Sequence, residues 1–256
     1  MQERKTNGIG YIVGDWPLDP QKSTILFIPG AGGSSVFWHE QIKGLSARVN
    51  TLAIDLPGRG RSHGEGKQNI ADYAEVVVKF IAEIDIPDPI ICGLSMGGAI
   101  AQQVLLDYPN RLKTAILIGT GARMKVAPAI FGSIEKDYNN SVDWLCKICI
   151  SKNTDSKIVN PFREDLLSCK PGITSGDFRA CDRFDVADRL AAIEAPVLVV
   201  TAEEDKLTPP KYGAALEKGI KNATRSHIMG AGHIVPMEKP GEVNKTIMKF
   251  LDQAGL

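Results

Sequence analysis

Gly93-Leu94-Ser95-Met96-Gly97, preceded by Ile90-Ile91-Cys92 and followed by Gly98-Ala99-Ile100-Ala101, is the stretch on which the fold turns. The residues before it are strand-like and those after it helix-like, so the G-x-S-x-G pentapeptide reads as a sharp strand-to-helix turn that presents a serine. Such a turn strains the serine backbone. Glycines flank it because a Cβ at either place would collide with the neighbouring strand or helix. The small residues Gly97, Gly98 and Ala99 let the following helix approach a sheet closely. A tight connection with an ordinary surface serine uses the same letters, so the surroundings must decide.

Outward from this turn the chain alternates short β-branched runs with amphipathic stretches, the pattern of a mostly parallel sheet covered by helices. Upstream, Ser23 to Ile28 reads as a strand ending in Pro29-Gly30-Ala31-Gly32-Gly33, Val36 to Ala47 as a helix and Val49 to Ile54 as a strand. Tyr73, Ala74, Val77, Phe80, Ile81 and Ile84 recur at helical spacing after Asn69, a plausible N-cap. Downstream, Thr114 to Ile118 is a strand. The alternation then stops between about Gly121 and Asp185, where helical fragments (Ile134 to Ile150) mix with Pro, Gly and Asn. It resumes with a strand over Pro196 to Thr201, a helix over Pro209 to Ile220, a strand over Thr224 to Met229 and a helix over Pro240 to Asp252. The expected organisation is a core in two parts, residues 1–120 and 186–256, with a helical cap inserted at 121–185. Such an insertion sits over the carboxyl ends of the strands, where open α/β sheets bind ligands.

At 256 residues the chain is long enough for one large α/β domain or for two small ones. Its 30 basic residues balance its 30 acidic ones, so no global field favours nucleic acid or an anionic membrane. Met1 to Gly8 lacks the apolar stretch of a secretory signal, and no apolar run approaches the roughly 20 residues that span a bilayer. A cytoplasmic protein is expected, and oligomeric state is not legible. The five cysteines are odd in number and suggest no disulfide framework. Cys146 and Cys149 form a C-x-x-C, compatible with redox chemistry or half a zinc site. With no second Cys/His pair nearby and a helical surround, ordinary helix packing is the expected reading, and no metal is expected.

A serine is a poor nucleophile until a base takes its proton. Of the four histidines, His233 lies in the Gly230-Ala231-Gly232-His233 turn after the last expected strand, at the sheet's carboxyl edge. His39 falls in a helix, His227 in a strand, and His63 in a polar loop that borders the site at most. The base needs a carboxylate that accepts its second ring N–H. Asp205 ranks first, with Glu203 and Glu204 as competitors on the same loop. The order Ser95, Asp205, His233 follows. An oxyanion needs two preorganised N–H donors: the backbone of Met96 and, from the glycine-rich loop, that of Ala31.

Together these segments resemble the α/β-hydrolase fold superfamily, in particular its small esterase-like and lactonase-like members. The resemblance runs through Phe27 to Gly33, Asp55-Leu56-Pro57-Gly58-Arg59-Gly60-Arg61-Ser62, the serine turn, Pro196 through Asp205, and Ala231-Gly232-His233. It implies an eight-stranded, mostly parallel sheet with a helical cap, no cofactor, and a small ester or lactone as substrate. Serine at the nucleophile position sets the chain apart from relatives that use aspartate. Pro29 stands where many relatives have histidine, which puts the hydrogen bonding of that loop in question. The stretch Ala180 to Asp185, running into Arg189 and Ile193, is similar to the cap-to-core return of enol-lactonase-like relatives, although Asp182 and Asp185 also suit helix capping. Phe131, Ile134, Tyr138, Trp144 and Leu145 are candidates to line the acyl pocket, or else form the cap's own core. Thioester and C–C hydrolysis remain open alternatives.

Two rival classes deserve weighing. Gly30-Ala31-Gly32-Gly33-Ser34-Ser35 followed by Asp55 imitates a dinucleotide fingerprint, but Ser35 replaces the final glycine. A catalytically silent binding module on the same scaffold is the second, since fold alone does not establish activity.

Overall fold

The uninterrupted apolar runs of the middle strands make sense because both of their faces are covered. The computed structural model describes residues Met1–Leu256. Its strands are β1 (Gln2–Thr6), β2 (Ile9–Val13), β3 (Thr24–Ile28), β4 (Asn50–Ile54), β5 (Pro89–Leu94), β6 (Thr114–Ile118), β7 (Val197–Ala202) and β8 (Ala223–Ile228). They form one eight-stranded sheet in the order β1-β2-β4-β3-β5-β6-β7-β8. All pairings from β4 to β8 are parallel, and only β1–β2 and β2–β4 are antiparallel.

The helices of the two core segments are α1 (His39–Leu45), α2 (Ile70–Glu83) and α3 (Met96–Asp107) before the insertion. The insertion carries α4 (Pro128–Lys136), α5 (Tyr138–Cys149), α6 (Ser156–Ser168) and α7 (Pro171–Arg183). After it come α8 (Pro210–Gly219), α9 (Val235–Glu238) and α10 (Pro240–Ala254). Successive strand residues point to opposite faces. Leu26 and Ile28 therefore join Ile91, Leu117 and Val199 in one apolar cluster, closed by α2, α3 and α8. Ile25 and Phe27 join Ile90, Cys92, Ile116 and Val200 in the other, closed by α1 and α10. No helix is long and apolar enough to cross a membrane.

Three local differences from the sequence reading have clear causes. The polar N-terminus, read as no element, forms β1 and β2 as a hairpin. Its turn residues Asn7 and Gly8 have φ of 47° and 82°, the two positive values that a two-residue Asn-Gly hairpin turn requires. The helix expected from Val36 to Ala47 is split into a 3₁₀ turn (Ser35–Trp38) and α1. Asn69 occupies the N-cap position of α2, but its side chain makes no capping bond and turns to Asp72 instead.

Sheet order determines which loops meet. β3 and β4 lie side by side, and β3 also pairs with β5, so the glycine-rich loop after β3 emerges beside the serine turn after β5. Next along the edge come the ends of β6, β7 and β8. The insertion leaves from β6 and returns to β7, and its helices lie over this same edge.

Candidate active site

Ser95 is the residue between β5 and α3, with φ 54° and ψ −114°. Positive φ is uncommon for a residue with a side chain and costs about 1–3 kcal/mol, a strain found at functional turns. The flanking glycines are sterically required. A Cβ on Gly93 would sit 2.1 Å from the carbonyl of Gly97, and one on Gly97 would sit 2.3 Å from the Ile28 carbonyl oxygen. Met96 is the first residue of α3, so its N–H has no acceptor within the helix. The Met96 side chain itself is fully buried in the core.

Beyond β7, Asp205 is buried, at 4% exposure. Its Oδ1 accepts the N–H groups of Leu207 (2.9 Å) and Thr208 (2.8 Å), and its Oδ2 accepts the Thr208 hydroxyl at 2.8 Å. The remaining direction of Oδ2 meets His233 Nδ1 at 2.9 Å. Burial alone would raise this carboxyl; the His233 imidazole and the bonds from Thr208 outweigh it and hold Asp205 below the usual carboxylate range. The competing carboxylates on the loop face elsewhere. Glu203 accepts the Gly230 N–H at 2.9 Å, and Glu204 lies 3.4 Å from the Lys152 nitrogen. His233 is itself buried, and its backbone N–H donates to the carbonyl of Cys149 in α5 at 2.6 Å. The insertion thus holds the histidine loop directly.

The loop after β3 is held by three buried carboxylates from three different places. Asp55, following β4, accepts the Ser35 N–H at 2.7 Å. Asp165 of α6 accepts the Ser34 N–H at 2.9 Å and also the Ser34 hydroxyl. Asp177 of α7 accepts the Gly32 N–H at 2.9 Å. Burial pushes Asp165 above the ordinary aspartate range, with the bonds from Ser34 working against it. Asp165 and Asp177 did not stand out in the sequence as part of a site, and Asp55 did so only as the acidic residue of the dinucleotide-like pattern. Asp55 spends its other oxygen on the Arg61 N–H at 2.8 Å and is fully buried, so it is not free to bind a ribose as the dinucleotide fingerprint requires.

Ser95, His233 and Ala31 line one cavity with Gly30, Gly33, Phe37, Leu94, Leu145, Cys149, Phe162, Leu166, Phe178, Leu207 and Ile234. It is mostly apolar and encloses about 40 Å³, room for a few water molecules at most. Phe37 and Phe162, with ring centroids 6.4 Å apart, separate it from a more polar pocket of about 550 Å³ bordered by His39, Arg61, Glu164 and Asp165.

Among the five cap residues proposed as lining, only Leu145 reaches the cavity. Leu145 and Cys149 are four residues apart on the inner side of α5, which leaves Trp144 on the outside with 37% exposure. Tyr138 turns into the cap, where its hydroxyl donates to the Leu166 carbonyl at 2.7 Å and meets Thr174 at 2.8 Å. Ile134 is buried and Phe131 half-buried on α4, both away from the cavity. The aromatic residues that do line it are Phe37 of the 3₁₀ turn before α1, Phe162 of α6 and Phe178 of α7, none of which the sequence singled out. Asp182 lies inside α7 and accepts the Val126 N–H at 3.1 Å, so it is not a cap; Asp185 accepts the Ala187 N–H at 3.2 Å ahead of a 3₁₀ turn.

The remaining histidines stay outside. His39 is on the rim of the outer pocket, His63 is exposed beside Lys5, and His227 of β8 bonds Thr201 of β7. Cys146 and Cys149 are buried free thiols in α5, both pushed above the ordinary thiol range by burial. No three His, Cys, Asp or Glu side chains group as a metal site would need.

A family model described as the alpha/beta hydrolase family matches residues 25–246, and the chain belongs to that family. Three similar proteins give its neighbourhood. BpoC of Mycobacterium tuberculosis, which bears a provisional non-heme bromoperoxidase name, is 28% identical over 88% of this chain and 92% of its own. A thermophilic esterase of known structure superposes with a TM-score of 0.86 at 28% identity, covering 99% of this chain and 98% of that one. The enol-lactonase of Burkholderia xenovorans LB400 superposes with a TM-score of 0.89 at 21% identity, covering 98% and 100%. At that lower identity the second likeness speaks to the fold alone.

Proposed function

We propose that this hydrolase cleaves a small carboxylic ester or lactone through an acyl-enzyme on Ser95. The observation that carries the reading is the buried Asp205–His233 pair, 2.9 Å apart, whose imidazole lines one apolar cavity with a serine on a strained turn. An ionised Asp205 accepts the Nδ1 proton and so leaves Nε2 as the unprotonated nitrogen that takes the serine proton. Ser95 Oγ attacks the carbonyl carbon, and the electron pair of the C=O moves to oxygen, where the N–H groups of Met96 and Ala31 receive it. His233 then passes its proton to the leaving alkoxide, and in the second half activates a water that releases the acid. The likeness to an esterase at 28% identity supports the ester class. The small apolar cavity supports a short acyl group.

Hydrolysis of p-nitrophenyl acetate, of longer p-nitrophenyl esters and of simple lactones tests this, together with labelling by a fluorophosphonate. Ser95→Ala should cost about 10⁴–10⁶ in kcat, by comparison with serine-protease deletions, and should abolish labelling. A wild-type protein that neither labels nor turns over any of these would point to the silent binding module. Activity confined to thioesters or to a C–C bond beside a ketone would move the substrate class and leave the serine in place.

A further inference from the structure

Gly30 to Gly33 forms a four-residue turn, closed by the Gly33 N–H donating to the Gly30 carbonyl at 3.2 Å. Gly32, third in the turn, has φ 73°, as a type II turn demands at that position. The Ala31 N–H belongs to the Gly30–Ala31 peptide, so its direction follows from the conformation of the turn as a whole, which the neighbouring Ala31–Gly32 peptide anchors. That peptide is held from one side only: the Gly32 N–H donates to Asp177 Oδ2 at 2.9 Å. The Ala31 N–H has no backbone acceptor in the chain, and Ala31 lines the cavity with Ser95.

Asp177 has no solvent exposure and belongs to α7, on the insertion. A carboxylate buried so deeply is tolerated only when paired and fully hydrogen-bonded. Arg59, 3% exposed, supplies the pairing: its Nη2 donates to Oδ1 at 2.7 Å and its Nη1 lies 2.6 Å from Oδ2. The Tyr73 hydroxyl donates to Oδ1 at 2.6 Å, and in turn accepts from Arg59 at 2.9 Å and from the Lys67 N–H at 2.8 Å. Core residues thus take up Oδ1, while Oδ2 accepts the Gly32 N–H beside the positive charge of Arg59. The forked guanidinium also cancels a negative charge that would otherwise lie behind the very loop that must receive an oxyanion.

We infer that Asp177, held by Arg59, is a positioning residue of the oxyanion hole: through the Gly32 N–H it fixes the turn that aims the Ala31 N–H at the reacting carbonyl. The insertion is then a working part of the catalytic apparatus as well as a cover, because the loop's orientation depends on α7 being seated. This inference rests on the acyl-enzyme reading above.

Replacing the pair together, Arg59→Met with Asp177→Leu, removes both charges at once, the change most compatible with folding. The double variant should lose about ten- to a hundredfold in kcat, below the effect of deleting an oxyanion donor outright, with KM within about twofold and fluorophosphonate labelling of Ser95 slowed in parallel. A folded double variant with wild-type kcat, or a loss expressed in KM alone, overturns the inference. Absence of any Ser95-dependent turnover in the wild type overturns the acyl-enzyme reading, and this one with it. Amide exchange on the unmutated protein serves even if the variants do not fold. The Gly32 amide should be protected throughout, and the Ala31 amide should be open and become protected once Ser95 is phosphonylated. Equal exposure of the two amides before labelling contradicts the assignment.

Discussion

Two buried aspartates hold the two sides of this site, and they are held in opposite ways. Asp205 takes its bonds from its own loop: Leu207 and Thr208 lie within three residues, and His233 follows across one strand. Asp177 takes every bond to its carboxylate from far away along the chain: Gly32 is 145 residues distant, Arg59 118 and Tyr73 104. The loop after β7 is therefore a local structure, built from its own backbone N–H groups and Thr208. The carboxylate on α7 exists as a site element only when the insertion is seated on the core. The difference separates chemistry that a loop carries from geometry that a packing arrangement imposes.

The largest effect is expected where the local side is broken. Asp205→Asn should lower kcat by about 10⁴, as loss of the carboxylate does in a serine protease by favouring the wrong tautomer. Glu203→Gln, on the same loop but bonded to Gly230, should leave turnover near wild type in the same assay. Equal losses in both would show that the loop, and not the one carboxylate, is what matters.

Breaking the distant side should appear first in stability. Asp177→Ala leaves Arg59 buried without its partner and should destabilise the fold by about 3–5 kcal/mol, measured as a drop in the urea midpoint at unchanged slope. The paired replacement with Arg59→Met should recover most of that loss. If the single variant is as stable as the wild type, the pair does not hold α7 to the core.

A smaller change is expected at the wall between the inner cavity and the outer pocket. Phe162→Ala opens the inner space of about 40 Å³ toward the outer one of about 550 Å³. It should raise the kcat/KM ratio of hexanoate over acetate esters by about tenfold, the scale of a few methylenes in an apolar pocket. An unchanged ratio would place the acyl group elsewhere.

The mildest test is pH. The folded Asp205 lies below its ordinary value of 3.8, so its ionised form contributes stability above that pH, and the contribution fades as pH falls from there toward the lowered folded value. Asp205→Asn should show a shallower acid limb than the wild type in melting temperature between pH 5 and pH 3. A parallel limb would mean that the carboxylate gains nothing from the fold. The same reasoning gives Asp165, raised by burial, the opposite sign: it favours the folded state most at low pH and loses that contribution as pH rises through its elevated value.

Much of this was written locally. The serine turn was legible because its glycines answer to contacts with residues a few positions away or one strand over, as the 2.1 Å and 2.3 Å collisions at Gly93 and Gly97 make plain. The parallel strands were legible from β-branched runs that only burial on both faces explains. One local signal went unread: Asn7-Gly8, whose hairpin was masked by the exposed polar residues of β1. Whether the cap residues line the pocket or form the cap's own core was left open by the sequence, because local pattern does not say which neighbour an inner face meets; Leu145 alone of the five lines the cavity. Trp144 is outside, and Tyr138 spends its hydroxyl on the cap.

The sequence alone determined the order of the strands' contents, the strained serine turn, and the loops on which a carboxylate and an imidazole had to lie, since short-range sterics and periodicity dictate these. Tertiary structure alone decided that Asp165 and Asp177 grip the loop after β3, and that Phe37 and Phe162 close the space beside Ser95. Those partners are well over a hundred residues apart, and nothing in their immediate neighbours records which helix a seated insertion will bring against the core.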